Sequence, residues 1–111
     1  MKKDNLIYIE DIFDCTKKIL KFTKNMSFDE FLASDVTLDA VLRNFEVIGE
    51  AAKQLSEEFI ADNPGFPIAK VIAMRNFLIH EYKKINFDLI WETIKKDLPT
   101  LKKQVKKILA K

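Results

Sequence analysis

The sequence predicts an all-α protein, an antiparallel bundle of four to five helices formed by one domain over residues 1–111. Three observations carry that expectation. Only 2 of the 111 residues are Gly and 3 are Pro, too few turn formers for a β-sandwich, a collagen-like repeat or a disordered tail. The chain is 48% hydrophobic and 32% charged, and its apolar residues recur at the helical period. Its length suits one compact core and is short for two.

Taken in order, the first helix is expected from about Asp4 to Lys24, with Leu6, Ile9, Ile12, Phe13, Ile19 and Leu20 as its apolar stripe. Ser27 with Glu30 three residues on has capping-box spacing and starts a short helix through Ala33. A second long helix begins near Asp35 or Thr37 and runs to about Phe59. Its stripe is Leu38, Val41, Leu42, Phe45, Ile48, Ala52, Leu55 and Phe59, opposite Asp39, Glu46, Glu50, Lys53 and Glu57. Gly49 lies within that stripe, in the run Ile48-Gly49-Glu50-Ala51-Ala52. An interior Gly costs up to about 1 kcal/mol against Ala, so close approach of another backbone is the compensation to look for. The turn residues Asp62-Asn63-Pro64-Gly65 then stop the helix.

Pro67 suits the first turn of a third helix, expected to reach Glu81. Asn86 or Asp88 caps a fourth, which holds Ile90, Trp91, Ile94 and Leu98. Pro99 lacks a donor and clashes with the preceding turn, so a kink is expected around Lys95–Leu98. The apolar phase continues through Leu101, Val105 and Ile108.

Composition narrows the chemistry. One cysteine, Cys15, excludes an internal disulfide, and with a single His it excludes the usual zinc cages. Cys15 lies among apolar neighbours and reads as a small buried hydrophobe. No apolar run approaches the ~18 residues of a spanning helix, and the N-terminal residues do not resemble a signal peptide. The expected compartment is the cytoplasm. Phosphate-binding glycine loops, HExxH pairs and Gly-x-Ser-x-Gly turns are all missing, and the nine Phe sit largely at core spacing. Net charge is only +2, but it averages two unlike halves. Residues 1–62 carry 8 basic and 13 acidic side chains, a net of −5, whereas residues 63–111 carry 11 and 4, a net of +7. Lys102, Lys103, Lys106 and Lys107 concentrate the positive charge, either as a solvated face or as a surface for an anionic partner.

The third helix breaks its own pattern. Ile68, Val71, Ile72 and Ile79 share one face at about 100° per residue, and Arg75 falls in the middle of it. A guanidinium is permanently charged, so it requires a carboxylate, an anionic ligand or a water-filled cleft. Glu46 and Glu50 on the second helix are the candidate carboxylates. His80 is about 140° round a straight helix from Arg75, so the two converge only at a helix end or across a symmetric interface between two copies. Asn76 shares a face with His80 and is placed to orient its imidazole. Tyr82 returns to the side of Arg75 if the helix extends that far.

Arg75-Asn76-Phe77-Leu78-Ile79-His80-Glu81-Tyr82 resembles the R-x4-H-x-Y signature of HepT-type HEPN ribonuclease toxins. The segment Arg43 to Ala52 is similar to that family's second-helix segment, and Ile85-Asn86-Phe87-Asp88, Ile90-Trp91 and Asp97-Leu98-Pro99 are similar to its later segments. Together these cover most of residues 37–105. The resemblance implies a HEPN-like bundle, a homodimer, and a cytosolic prokaryotic toxin that cleaves RNA without a metal or other cofactor. It further implies an MntA-like nucleotidyltransferase antitoxin that transfers AMP to the motif tyrosine, here Tyr82. Arg75 and His80 would be catalytic, with Asn76 and Tyr82 in support. His titrates near neutrality and Arg offers a planar fork to phosphate, which suits this chemistry. A rival reading is a non-catalytic helical partner, a nucleotide- or anion-binding subunit of a nucleotidyltransferase, in which Arg75 only clamps an anion. A third is a purely structural bundle with Arg75 paired to Glu46 or Glu50.

Overall fold

Serine and asparagine side chains cap the starts of four helices in the computed structural model, which describes residues 1–76 and 85–111. Helix α1 spans Lys3–Thr23, α2 Phe28–Ala33, α3 Asp35–Lys53, α4 Glu57–Asp62 and α5 Ile68–Ala73. Helix α6 spans Phe87–Glu92, and a π-turn at Thr93–Asp97 joins it to α7, Leu98–Leu109. All regular structure among the described residues is helical, as expected of a HEPN-like bundle.

The capping box at α2 is present in full. Glu30 N–H donates to Ser27 Oγ (3.1 Å) and Ser27 N–H donates to Glu30 Oε1 (2.9 Å). The second of these bonds holds the Glu30 carboxyl below the usual carboxylate range, because it favours the charged form. Ser34 accepts from Thr37 N–H (3.2 Å) and starts α3, and Asn86 accepts from Leu89 N–H (3.0 Å) and starts α6. The α-helical pattern gives way to a π-turn just ahead of Pro99. The proline cannot donate to the carbonyl four residues back, and Leu98 N–H reaches Thr93 O instead, opening the π-turn.

Helix α3 packs on α1 and, towards its C-terminal end, on α5, while α7 packs on α1 as well. Asn5 near the start of α1 meets Ser56 just past the end of α3, so those two helices run antiparallel. Ile9, Ile12, Ile19, Val41, Phe45, Ile48, Ile90, Ile94, Leu98 and Val105 are fully buried in one core. Phe31 of α2 stacks on Trp91 of α6 with centroids 4.9 Å apart, closing one end of the bundle. Cys15 is buried and unpaired, and loss of hydration raises its thiol pKa.

Three expectations are corrected. The second long helix does not run unbroken to Phe59. It ends at Lys53 and restarts as α4, because Ser56 is extended and its side chain caps Phe59 N–H (3.1 Å). Asn5 holds that break from the far end of the sequence, donating to Ser56 Oγ (2.9 Å) and accepting from Ser56 N–H (3.1 Å). Leu6 is not part of the buried stripe and is 37% exposed. The α-helical turns of the third helix stop at Ala73, where Met74 N–H and Arg75 N–H bond three residues back, to Val71 O and Ile72 O, both at 3.2 Å. The expected continuation through Glu81 lies outside the described residues.

Candidate active site

Arg75 lies two residues past the end of α5, against Gly49 in the interior of α3. A Cβ added to Gly49 would overlap Arg75 Cβ and stand 2.7 Å from Arg75 N and 3.0 Å from its Cα. Two of these three atoms are backbone, so no rotamer change relieves the clash. The close approach expected at Gly49 is therefore made by Arg75 itself. The backbone tightens into three-residue turns at Met74–Arg75, just past the last turn of α5.

Glu50, the next residue along α3, supplies the counter-charge. Arg75 Nη1 lies 3.1 Å from Glu50 Oε1, with the arginine side chain 24% exposed and the glutamate 50% exposed. The apolar stripe thus tolerates Arg75 because its charge is paired and its side chain is only partly buried. Glu46, the other carboxylate considered, is exposed and makes no ion pair among the described residues. It lines a groove of about 350 Å³ between α1 and α3, together with Tyr8, Arg43, Glu50 and Gln54. Glu50 therefore faces both the groove and Arg75. Nothing in the sequence marked Tyr8 or Gln54 as neighbours of this site, since Tyr8 is brought there only by the α1–α3 packing.

The remaining site residues divide cleanly. Asn76 follows Arg75 and is exposed. His80 and Tyr82 lie outside the described residues, as do the expected Arg75–His80 separation and the Asn76–His80 pairing. Lys102, Lys103, Lys106 and Lys107 are exposed on α7, opposite the buried Leu101, Val105 and Ile108, and none makes an ion pair among the described residues. By contrast Lys70 pairs with Asp97 (2.8 Å), Lys96 with Glu92 (3.0 Å), and Lys95 sits 4.5 Å over the Trp91 ring. No helix among the described residues is long and apolar enough to cross a membrane.

A helical bundle that seats a paired, partly exposed arginine at the head of an R-x4-H-x-Y segment is of the HEPN type. The chain belongs to the HepT-like ribonuclease family, whose model, described as Ribonuclease HepT-like, matches residues 12–108. It is 41% identical over 108 residues to the Methanocaldococcus jannaschii protein named Putative RNase MJ0127, covering 97% of this chain and 89% of that one. A Caldanaerobacter subterraneus protein named Putative RNase TTE0752 is 41% identical over 104 residues, 94% of this chain and 93% of its own. The Thermococcus cleftensis protein named Probable ribonuclease HepT is 36% identical over 108 residues, 97% of this chain and 98% of its own. No solved structure matches the chain significantly.

Proposed function

We propose that this chain is the toxin of a toxin–antitoxin pair, a metal-independent endoribonuclease that acts as a cytoplasmic homodimer. The observation that carries the reading is Arg75, the first residue of the R-x4-H-x-Y segment, seated on Gly49 in a chain of the HepT-like ribonuclease family. In the reaction, His80 of one copy takes the proton from a ribose 2′-OH as that oxygen attacks the adjacent phosphorus. The bond to the 5′-oxygen breaks, and the second copy's imidazolium protonates that leaving oxygen. Arg75 meets the charge that builds on the phosphoryl oxygens. The products are a 2′,3′-cyclic phosphate and a 5′-hydroxyl. Two histidines in two protonation states are needed, and with one per chain a dimer cleft supplies both.

An MntA-like nucleotidyltransferase silences the site by transferring AMP to Tyr82. The phenol oxygen gains a bond to the α-phosphorus of a nucleoside triphosphate, and pyrophosphate and the phenol proton leave. The added negative charge repels the RNA backbone beside the cleft. The test is RNA digestion in EDTA by wild type, His80→Ala and Arg75→Ala, with the intact mass of each sample measured. Cleavage by wild type alone, at least about a thousandfold above either variant, is expected where one group serves proton transfer and the other charge stabilisation. Retained cleavage by both variants would sink the reading.

The Arg75–Glu50 pair is the contact that a purely structural arginine would make; the remaining reading is a non-catalytic subunit of a nucleotidyltransferase, in which an anion takes the place of Glu50 on the arginine. An inactive wild type that still binds the nucleotidyltransferase would select it. The exposed lysines of α7 steer RNA in the first reading, while an acidic antitoxin surface is the other anionic partner they suit. Reversing Lys102, Lys103, Lys106 and Lys107 to Glu is expected to weaken RNA binding about tenfold or more at low salt and to flatten its salt dependence. Loss of antitoxin binding alone would assign these lysines to docking, and no loss in either assay would leave them a solubility role.

A further inference from the structure

We propose that Gly49 and Glu50 form a seat that positions Arg75, Gly49 by fixing where the arginine leaves its backbone and Glu50 by fixing where its guanidinium points. The inference rests on the ribonuclease reading for its kinetic consequences, and its structural half stands independently of it.

Two contacts at consecutive positions of one helix hold opposite ends of the same side chain. At the root, the spacing between Gly49 and Arg75 admits no Cβ, with 2.7 Å to the arginine N and 3.0 Å to its Cα. The tight turn at Met74–Arg75 holds that backbone against α3. At the tip, Glu50 Oε1 stands 3.1 Å from Nη1. An arginine side chain is long and flexible, and loses most of its rotamer freedom when it is held in one geometry. Anchoring both ends removes that freedom before substrate arrives, which is the condition for an electrostatic group to act without reorganising. Glu50 is half exposed and the Arg75 side chain is 24% exposed, so the pair reaches the surface, and a guanidinium has donors beyond the one that faces Glu50 to offer a phosphate.

A carboxylate beside a phosphate-binding arginine has a second conceivable consequence, that of a competitor for the same donors. The two roles give opposite signs. As a positioning residue, Glu50 raises turnover, and its replacement lowers kcat with little change in KM. As a competitor it weakens substrate binding, and its replacement lowers KM.

The experiment uses the full chain and the variants Glu50→Gln, Glu50→Asp and Gly49→Ala, each first checked for folding by circular dichroism. In RNA digestion with EDTA, Glu50→Gln is expected to lose about tenfold or more in kcat with KM within about threefold, as a misplaced group would. Glu50→Asp keeps the charge and restores part of the loss. Gly49→Ala, where folded, loses at least as much as Glu50→Gln. An unchanged kcat in Glu50→Gln, or a lowered KM with raised activity, would overturn the proposal. Nitrogen-15 NMR of the Arg75 side chain gives a readout without RNA: slow exchange of its two Nη groups in wild type, fast exchange in Glu50→Gln. Equal exchange rates in the two proteins would overturn the seat whatever the RNA assay gives. Slow wild-type exchange in a protein that cleaves no RNA would leave the seat standing and remove the ribonuclease reading instead.

Discussion

Helix α3 meets its two neighbours in opposite ways. Against α1 it contributes to a core of Ile9, Ile12, Ile19, Val41, Phe45 and Ile48, all fully buried, where side chains fill the space between the axes. Against the segment that follows α5 it presents Gly49 to Arg75, and the contact is nearly backbone to backbone. An interface of large side chains changes stability in proportion to the volume removed, because neighbours partly relax into the gap. A glycine contact has nothing to remove, and adding one methyl displaces a whole segment. The first kind of interface holds the fold, and the second limits where the backbone of one residue can lie. Arg75 is that residue.

That contrast can be broken by mutation. The largest stability effect is expected at the side-chain interface: Phe45→Ala should cost about 3–5 kcal/mol in urea unfolding, since the ring is fully buried. A cost near zero would mean that α1 and α3 are held by something other than this core. Gly49→Ala should cost less, about 1–3 kcal/mol, as overpacking does, while disturbing Arg75 more than Phe45→Ala disturbs it. A Gly49→Ala protein as stable as wild type, with Arg75 undisplaced, would show that the helices part freely. Smaller still is the polar clamp at the α3–α4 break. Asn5→Ala should cost about 1–2 kcal/mol because it removes two hydrogen bonds to Ser56 in a half-buried place. Faster amide exchange at Ser56 and Phe59, with α1 and α3 otherwise unchanged, would confirm that the loss is local.

Much of this was legible before the structure. The Ser27–Glu30 capping box, the Asn86 cap, the distortion ahead of Pro99 and the apolar stripes of α3 and α7 all obey rules that act within about one helical turn. The misreadings had longer reach. Ser56-Glu57-Glu58 carries the signature of a helix start, an N-cap serine before two acidic residues, yet the apolar phase through Phe59 outweighs it in the sequence alone. Asn5, 51 residues away, tips the balance by bonding both the amide and the hydroxyl of Ser56. Leu6 fits the stripe of α1 by period and is nonetheless 37% exposed.

For the site, the order of residues along the chain sets the chemical inventory: one His, an Arg out of place in an apolar stripe, two acidic candidates, and a glycine that a helix would not hold without a reason. These are local facts, visible as departures from periodicity and propensity. The pairing belongs to the packed molecule. Glu46 and Glu50 are one helical turn apart and equivalent by composition, and the choice of Glu50 depends on where α5 crosses α3. Gly49 signalled a close approach, but the identity of the approaching residue, Arg75, is a distance between segments 26 positions apart. Propensity is written in neighbours along the chain, whereas a crossing point is the joint outcome of every packed surface around it, and no single segment encodes that.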